Sequence, residues 1–417
     1  MFQPTRSAPL PRQASAGTGF WQSGHRPTLL AAFLYFDLAF MVWTILGPLA
    51  PNISAALGLD AAEKGLMVAT PTLAGALLRL LMGLLVDRVG PKTAGALGQG
   101  IVIAGLFAAW LFGVHSFAAT LLLGGLLGFA GASFAVALPL ASRWYPPEHQ
   151  GKAMGIAGMG NSGTVLASLF APMIARAFGW NAVLGLACIP LTAVLLAYLA
   201  LAKDSPTRPP PQTLASYAEP LRERDAWWLM LFYLVTFGGF SGLSSSLSIY
   251  IVGNFGLTPV QAGYAGAACV FAGSLVRPMG GALADRIGGI RTLTMVYSVA
   301  AAALVALGTG PASLPLALGL FIVAMLALGT GNGAVFQLVP QRFGKEIGVM
   351  TGLVGCAGGI GGFLLAASLG FARQWLGSER AGFLVFAGLA LAALAAATSV
   401  KRNWRRTWAL ANEGVRI

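Results

Sequence analysis

This 417-residue chain is short of charge: 9% of its residues are Asp, Glu, Lys or Arg, and only 13 are acidic. It has three histidines and three cysteines. Cys188, Cys269 and Cys356 each fall inside a long apolar run, with no disulfide or metal-ligand spacing, and read as small apolar fillers. No apolar run holds a histidine or a second carboxylate, and the chain has neither a Walker loop nor a metal motif. General acid–base, metal and nucleotide chemistry therefore have no residues to use, and no enzyme activity, cofactor or metal is expected.

What is abundant is apolar residues, at 57% of the chain, and glycine, at 56 residues. The apolar residues form twelve runs of roughly 18 to 26 residues, long enough to cross a bilayer as helices. The first lies near 29–50 and the last near 381–399. Small residues let such helices approach closely. The runs divide six and six, giving an expected cytoplasmic tail (1–28), a first half (29–202), a linker (203–226), a second half (227–400) and a basic tail (401–417). The linker contains Pro206, Pro209, Pro210 and Pro211 and mixed charge, followed by a short amphipathic piece. The segment KRNWRRTW, Lys401 to Trp408, reads as a membrane-surface anchor.

The net charge of +13 raises nucleic acid as a partner, but its distribution excludes one. Of the 26 Lys and Arg residues, 20 lie in the tails and even-numbered loops. Lys64, Arg176, Arg373 and Arg380 lie in or beside odd-numbered loops. By the positive-inside rule both termini are cytoplasmic. The expected molecule is an all-α protein of twelve transmembrane helices, with the lipid bilayer as its surroundings.

The two remaining cations, Arg79 and Arg277, sit inside apolar runs. They belong to an internal repeat. GALLRLLMGLLVDRVG (Gly75 to Gly90) and GSLVRPMGGALADRIG (Gly273 to Gly288) align without a gap 198 residues apart, identical at eight of sixteen positions. Each arginine precedes its Asp-Arg-x-Gly end by eight residues, which in a helix places it roughly 12 Å deeper than the aspartate. That is near the middle of a hydrocarbon core about 30 Å thick. A charge there is expensive and marks a functional site. Asp37 is the only carboxylate inside any span, and one Asp cannot fully pair with two arginines. The pair therefore reads as an anion site, since a guanidinium donates two parallel hydrogen bonds to a planar oxyanion. The bland alternative is that each arginine caps carbonyls at a helix break.

The repeated loop motif, with Asp87 and Arg88 in one half and Asp285 and Arg286 in the other, resembles the signature between spans two and three of the major facilitator superfamily. It reads as a gate, in which the aspartates pair with basic groups or helix ends in one state and release them in another. That resemblance implies two six-helix halves with substrate near the midplane between them. The glycine-rich blocks narrow it further. Span five holds Gly155, Gly158, Gly160, Asn161, Ser162 and Gly163, and span eleven holds Gly352, Gly355, Gly358, Gly359, Gly361 and Gly362. Together they resemble the paired signatures of the nitrate/nitrite porter family over essentially all twelve spans. Physically, Gly158, Gly160, Gly163, Gly355, Gly358 and Gly359 let spans five and eleven pack closely around a small ligand.

The resemblance implies a nitrate site in which Arg79 and Arg277 act as clamps. It also places Asn161, Tyr233, Phe237 and Phe134 at that site. Tyr233 and Phe237 are i, i+4 neighbours and share a helix face. Where the family has a phenylalanine in span one, this chain has Leu46. Two like charges resist closing around an empty site, so exchange of one anion for another, nitrate in and nitrite out, is one expected mechanism. If Asp37 reaches the arginines, nitrate and a proton enter together at constant site charge, which is symport. The structural alternative is that Asp37 binds a hydroxyl or amide such as Thr44 or Asn161. Formate, a small carboxylate or phosphate are the rival anions, and a receptor without flux is the rival class.

Overall fold

In a computed structural model the protein is an all-helical bundle, described here for residues 19–205, 214–343 and 346–408. Much of both expected tails and prolines 206, 209, 210 and 211 lie outside those residues. Eleven helices among the described residues have the length and apolar composition to span a membrane. The twelfth, span five, consists of Pro147–Gly158 and Gly163–Phe178 joined by the 3-10 turn Met159–Ser162.

The first half contains span one (Arg26–Trp43 and Leu46–Leu57), span two (Ala61–Val89) and span three (Pro91–Phe112). Span four (Phe117–Gly131 and Phe134–Ser142), the broken span five and span six (Trp180–Leu201) complete it. The second half contains span seven (Arg224–Phe255), span eight (Pro259–Leu275 and Arg277–Ile287), span nine (Gly289–Gly308), span ten (Leu314–Arg342), span eleven (Ile347–Leu376) and span twelve (Arg380–Thr407). Buried apolar side chains form one continuous core through both halves.

The duplication reaches beyond the motif in which it was first seen. All positive-φ residues among those described are glycines, and they pair between the halves: Gly58 with Gly256, Gly90 with Gly288, Gly113 with Gly310, Gly179 with Gly377. Each ends a span in a conformation that a Cβ would strain. Spans two and eight also start alike. Asp60 caps Glu63 reciprocally, and Thr258 caps Gln261, again 198 residues apart.

The halves meet on one face and part on the other. On the face away from the linker, Gly65 of span two lies against Gly370 of span eleven so closely that a Cβ would stand 2.7 Å from the Gly370 Cα. Gly47 likewise abuts the Ser245 carbonyl, and the Ala61 amide donates to Gln374 Oε1 at 3.1 Å. On the linker face a cavity of about 760 Å³ separates spans four and five from spans eight, ten and eleven. It extends from Arg277 to Lys152 and Asp285. Tyr217, from the short linker helix Leu214–Ala218, is wedged beside Gly83 of span two and Gly352 of span eleven. Burial and the nearby Asp87 carboxylate both push its phenol above the usual 10.0, so the wedge is neutral at ordinary pH.

The segment expected to be a surface anchor is partly internal. Span twelve continues to Thr407, and Trp404 and Trp408 are buried. Their ring N–H groups donate to Asp225 at 2.7 and 3.2 Å, and Arg342 Nε donates to the same carboxylate at 2.7 Å. The indoles turn inward because a partly buried carboxylate needs donors. Arg402, Asn403, Arg405, Arg406 and Thr407 face outward.

Candidate functional site

Arg79 and Arg277 each stand ten residues before the last residue of their helix, Val89 and Ile287. That is roughly 15 Å along the axis. Their surroundings differ. Arg79 lies within a continuous helix and is 1% exposed. Its Nη1 donates to the Gly355 carbonyl of span eleven at 2.6 Å, and its Nη2 to the Gly131 carbonyl, where span four breaks, at 3.0 Å. Its Nε is buried without a partner among the described residues. Arg277 begins a helical segment, followed by Pro278, immediately after span eight breaks at Val276. Its Nη2 lies 3.4 Å from the Tyr233 hydroxyl, and its Nη1 is buried without a partner among the described residues. Arg79 thus realises in part the carbonyl-capping alternative, while each arginine keeps an uncommitted donor. Among the described residues no carboxylate pairs with either.

Aromatic rings fill the space between the two cations. The Phe134 ring centre lies 5.0 Å from the Arg79 guanidinium carbon and 5.9 Å from that of Arg277. Phe237 lies 5.8 Å from Arg79. Tyr233 and Phe237 stack at 5.1 Å with planes 6° apart. These faces attract cations through the ring quadrupole. They lower the repulsion between two arginines without neutralising either.

The span-eleven glycines make room for this arrangement. A Cβ on Gly355 would stand 2.8 Å from Arg79 Nη1, one on Gly358 2.6 Å from the Tyr233 ring, and one on Gly359 2.7 Å from the Ala76 Cβ. In span five, Gly160 and Gly163 lie against the backbone of span one at Asp37. Gly158 differs from the expected packing role: a Cβ there meets nothing within 4 Å, and the residue lines the cavity. Asn161 is fully buried. With its amide oriented to satisfy its neighbours it donates to the Gly158 and Met159 carbonyls at 3.1 and 3.3 Å. It therefore braces the 3-10 turn in its own span.

Asp37 faces the same turn. Its carboxylate accepts from the Ser162 hydroxyl at 2.7 Å and from the Gly163 amide. Neither Thr44 nor Asn161 is its partner, and no hydrogen bond or ion pair among the described residues joins it to Arg79 or Arg277. At the linker face Asp87 pairs with Arg143 of span four at 3.0 Å. Asp285 lines the cavity mouth, and Arg88 and Arg286 are exposed.

The structure adds residues that the sequence did not single out. No ring occupies the place of Leu46, which is buried beside the break in span one. Trp43 instead stacks on Phe237 at 6.2 Å and 11°, with Phe40 against both. Phe336 of span ten touches Tyr233 at 5.0 Å, Phe134 at 5.7 Å and the Arg277 guanidinium at 5.9 Å. The i, i+4, i+7 spacing of Phe36, Phe40 and Trp43 is a helix-face signal that could have identified the first group.

Comparison with known proteins gives the family and the fold. The description "Major Facilitator Superfamily" matches residues 31–366. The chain is 31% identical to the "Nitrite extrusion protein" of Bacillus subtilis, over 85% of this chain and 89% of that one. It is 33% identical to the "Probable nitrate/nitrite transporter NarK2" of Mycobacterium tuberculosis, over 82% and 87%. Among solved structures, a bacterial homolog of the human lysosomal transporter Spinster, inward-facing and occupied, superposes with a TM-score of 0.68 at 19% identity, covering 91% of this chain and 97% of that one.

Proposed function

This chain belongs to the nitrate/nitrite porter family of the Major Facilitator Superfamily, and from that premise we propose that it carries nitrate across the membrane by alternating access. It is a multi-pass membrane transport protein and not an enzyme. In this reading Arg79 and Arg277, one from each half, clamp the anion. Tyr233, Phe237 and Phe134 wall the site, and Asn161 holds the span-five turn beside it. The membrane is a bacterial inner membrane and both termini are cytoplasmic, so the cavity that ends at Asp285 opens to the cytoplasm. The transporter works as a monomer.

One observation carries the reading. A single ring, Phe134, lies within 6 Å of two arginines from opposite halves, and among the described residues no carboxylate pairs with either. A buried cation facing a partly buried one is unfavourable without a counter-charge. A small planar anion relieves both at once and accepts a hydrogen bond from each guanidinium. Binding would then draw the halves together, and release would let them part.

Asp37 supplies the proton in our reading, through the span-five turn. Its bonds to Ser162 and Gly163 exist for the carboxylate. Protonation weakens them and loosens the turn next to Asn161. The absence of any Asp37–arginine contact among the described residues favours, as a second reading, nitrate/nitrite exchange with Asp37 as a structural acceptor. Labelled-nitrate uptake into proteoliposomes, with and without internal nitrite and with an imposed pH gradient, decides between them. Uptake driven by the gradient alone supports symport. Uptake only against internal nitrite supports exchange. No nitrate flux in either condition refutes the nitrate reading.

A further inference from the structure

We propose that Asn332 of span ten is a direct ligand of the transported anion, an assignment that rests on the anion-transport reading above. Asn332 is fully buried. Neither its Oδ1 nor its Nδ2 has a hydrogen-bond partner among the described residues. A buried amide with both ends unsatisfied is costly, and native proteins keep such groups for a purpose. It lines the same cavity as Arg277, whose Nη1 is likewise buried and uncommitted.

The local sequence, Gly329-Thr-Gly-Asn-Gly333, explains how the amide comes to be there. Gly329 and Gly333 press span ten onto the backbone of span eight at Gly273 and at Arg277. Gly331 presses it onto Thr236 of span seven. Three glycines thus hold the backbone close to the arginine-bearing span, and Asn332 projects between their contact faces. One turn later on the same face, Phe336 contacts both Tyr233 and the Arg277 guanidinium. An amide in this position adds two neutral donors to a site otherwise built from two cations and aromatic faces. A trigonal oxyanion has more oxygen lone pairs than the one uncommitted nitrogen that each arginine keeps can satisfy.

The contrast with Asn161 sharpens the assignment. Asn161 donates to the carbonyls of its own helix turn. Its amide is committed to structure, whereas that of Asn332 is available.

The test uses the purified full chain, with anion binding read from thermal stabilisation and from titration with nitrate, nitrite, formate and phosphate. Asn332→Ala is expected to weaken nitrate binding about tenfold while the protein remains folded without anion. Asn332→Asp, which places a like charge facing the ligand, is expected to abolish it near neutral pH. Asn332→Ser is measured alongside in case the alanine variant does not fold. Wild-type affinity in any folded variant overturns the inference, including where the melting temperature without anion has fallen, because that pattern belongs to a packing residue. If the wild type responds to formate or phosphate rather than nitrate, the nitrate reading fails and the variants judge Asn332 with that anion. If it responds to none of the four, both fail.

Discussion

Arg79 donates from Nη1 to the backbone carbonyl of Gly355 at 2.6 Å, and the two residues belong to opposite halves of the molecule. The contact makes Arg79 a strut between spans two and eleven as well as a proposed clamp. An arriving anion competes with a carbonyl for the same guanidinium. Gly355 is required for this because a Cβ would stand 2.8 Å from Nη1 and 3.0 Å from Cδ. Gly355→Ala should therefore push the guanidinium off its position. We expect the half-saturating nitrate concentration to rise at least about tenfold with the protein still folded, since small-to-large changes in packed sites force shifts of this kind. Arg79→Lys should abolish uptake outright, because an ammonium cannot reach two carbonyls and an anion with fork geometry. Robust uptake by the lysine variant in proteoliposomes would remove Arg79 from the clamp.

The Asp37–Ser162 hydrogen bond leads to a different expectation. On the symport reading, Asp37→Asn keeps an acceptor for the Gly163 amide but carries no titrating charge. Exchange of external nitrate for internal nitrite should persist near the wild-type rate, while acceleration by an inward proton gradient disappears. Ser162→Ala keeps the carboxylate, removes one of its partners and should shift the pH profile of uptake without abolishing coupling. The measurement is initial uptake across a series of imposed pH gradients. If Asp37→Asn still accumulates nitrate when driven by protons alone, coupling runs through some other group.

Much of this architecture was legible in the sequence, for reasons that can be traced to particular residues. Apolar run length gave the twelve spans, and the Arg79/Arg277 repeat gave the two halves. The spacing of 198 residues then also places both capping boxes and, to within one residue, the paired positive-φ glycines. The rings Phe134, Tyr233 and Phe237 do gather at the arginines. What the sequence hid is where the repeat is broken. Pro278 of span eight has Leu80 as its counterpart in span two, so Arg277 opens a helical segment while Arg79 sits within one. The pairing of Asp37 with Ser162, and not with an arginine, depends on a 3-10 turn in span five, and hydropathy does not register such a turn. The inward-facing Trp404 and Trp408 were hidden for a related reason. A tryptophan in a basic segment resembles an interfacial anchor until its partner, Asp225, is known to lie 179 residues earlier in the chain and close in space.

The close approach of Gly65 and Gly370 predicts the behaviour of a jammed transporter. These residues let spans two and eleven touch on the face away from the linker, where a Cβ on Gly370 would stand 2.7 Å from the Gly65 Cα and 2.8 Å from the Ala61 carbonyl. The cavity on the linker face can open fully only if this far face is closed. Gly370→Leu should hold the far face apart and shift the population away from the conformation described here. Transport requires both states, so uptake should fall well below wild type although the protein folds and inserts. A reporter is available at Gly158, which lines the linker-face cavity with open space beside its Cα. With Cys188, Cys269 and Cys356 replaced, Gly158→Cys should react readily with a hydrophilic thiol reagent in the otherwise wild-type protein. It should react several-fold more slowly when combined with Gly370→Leu. Equal labelling in the two backgrounds, with uptake intact, would mean that the far-face glycines pack the bundle without controlling which side is open.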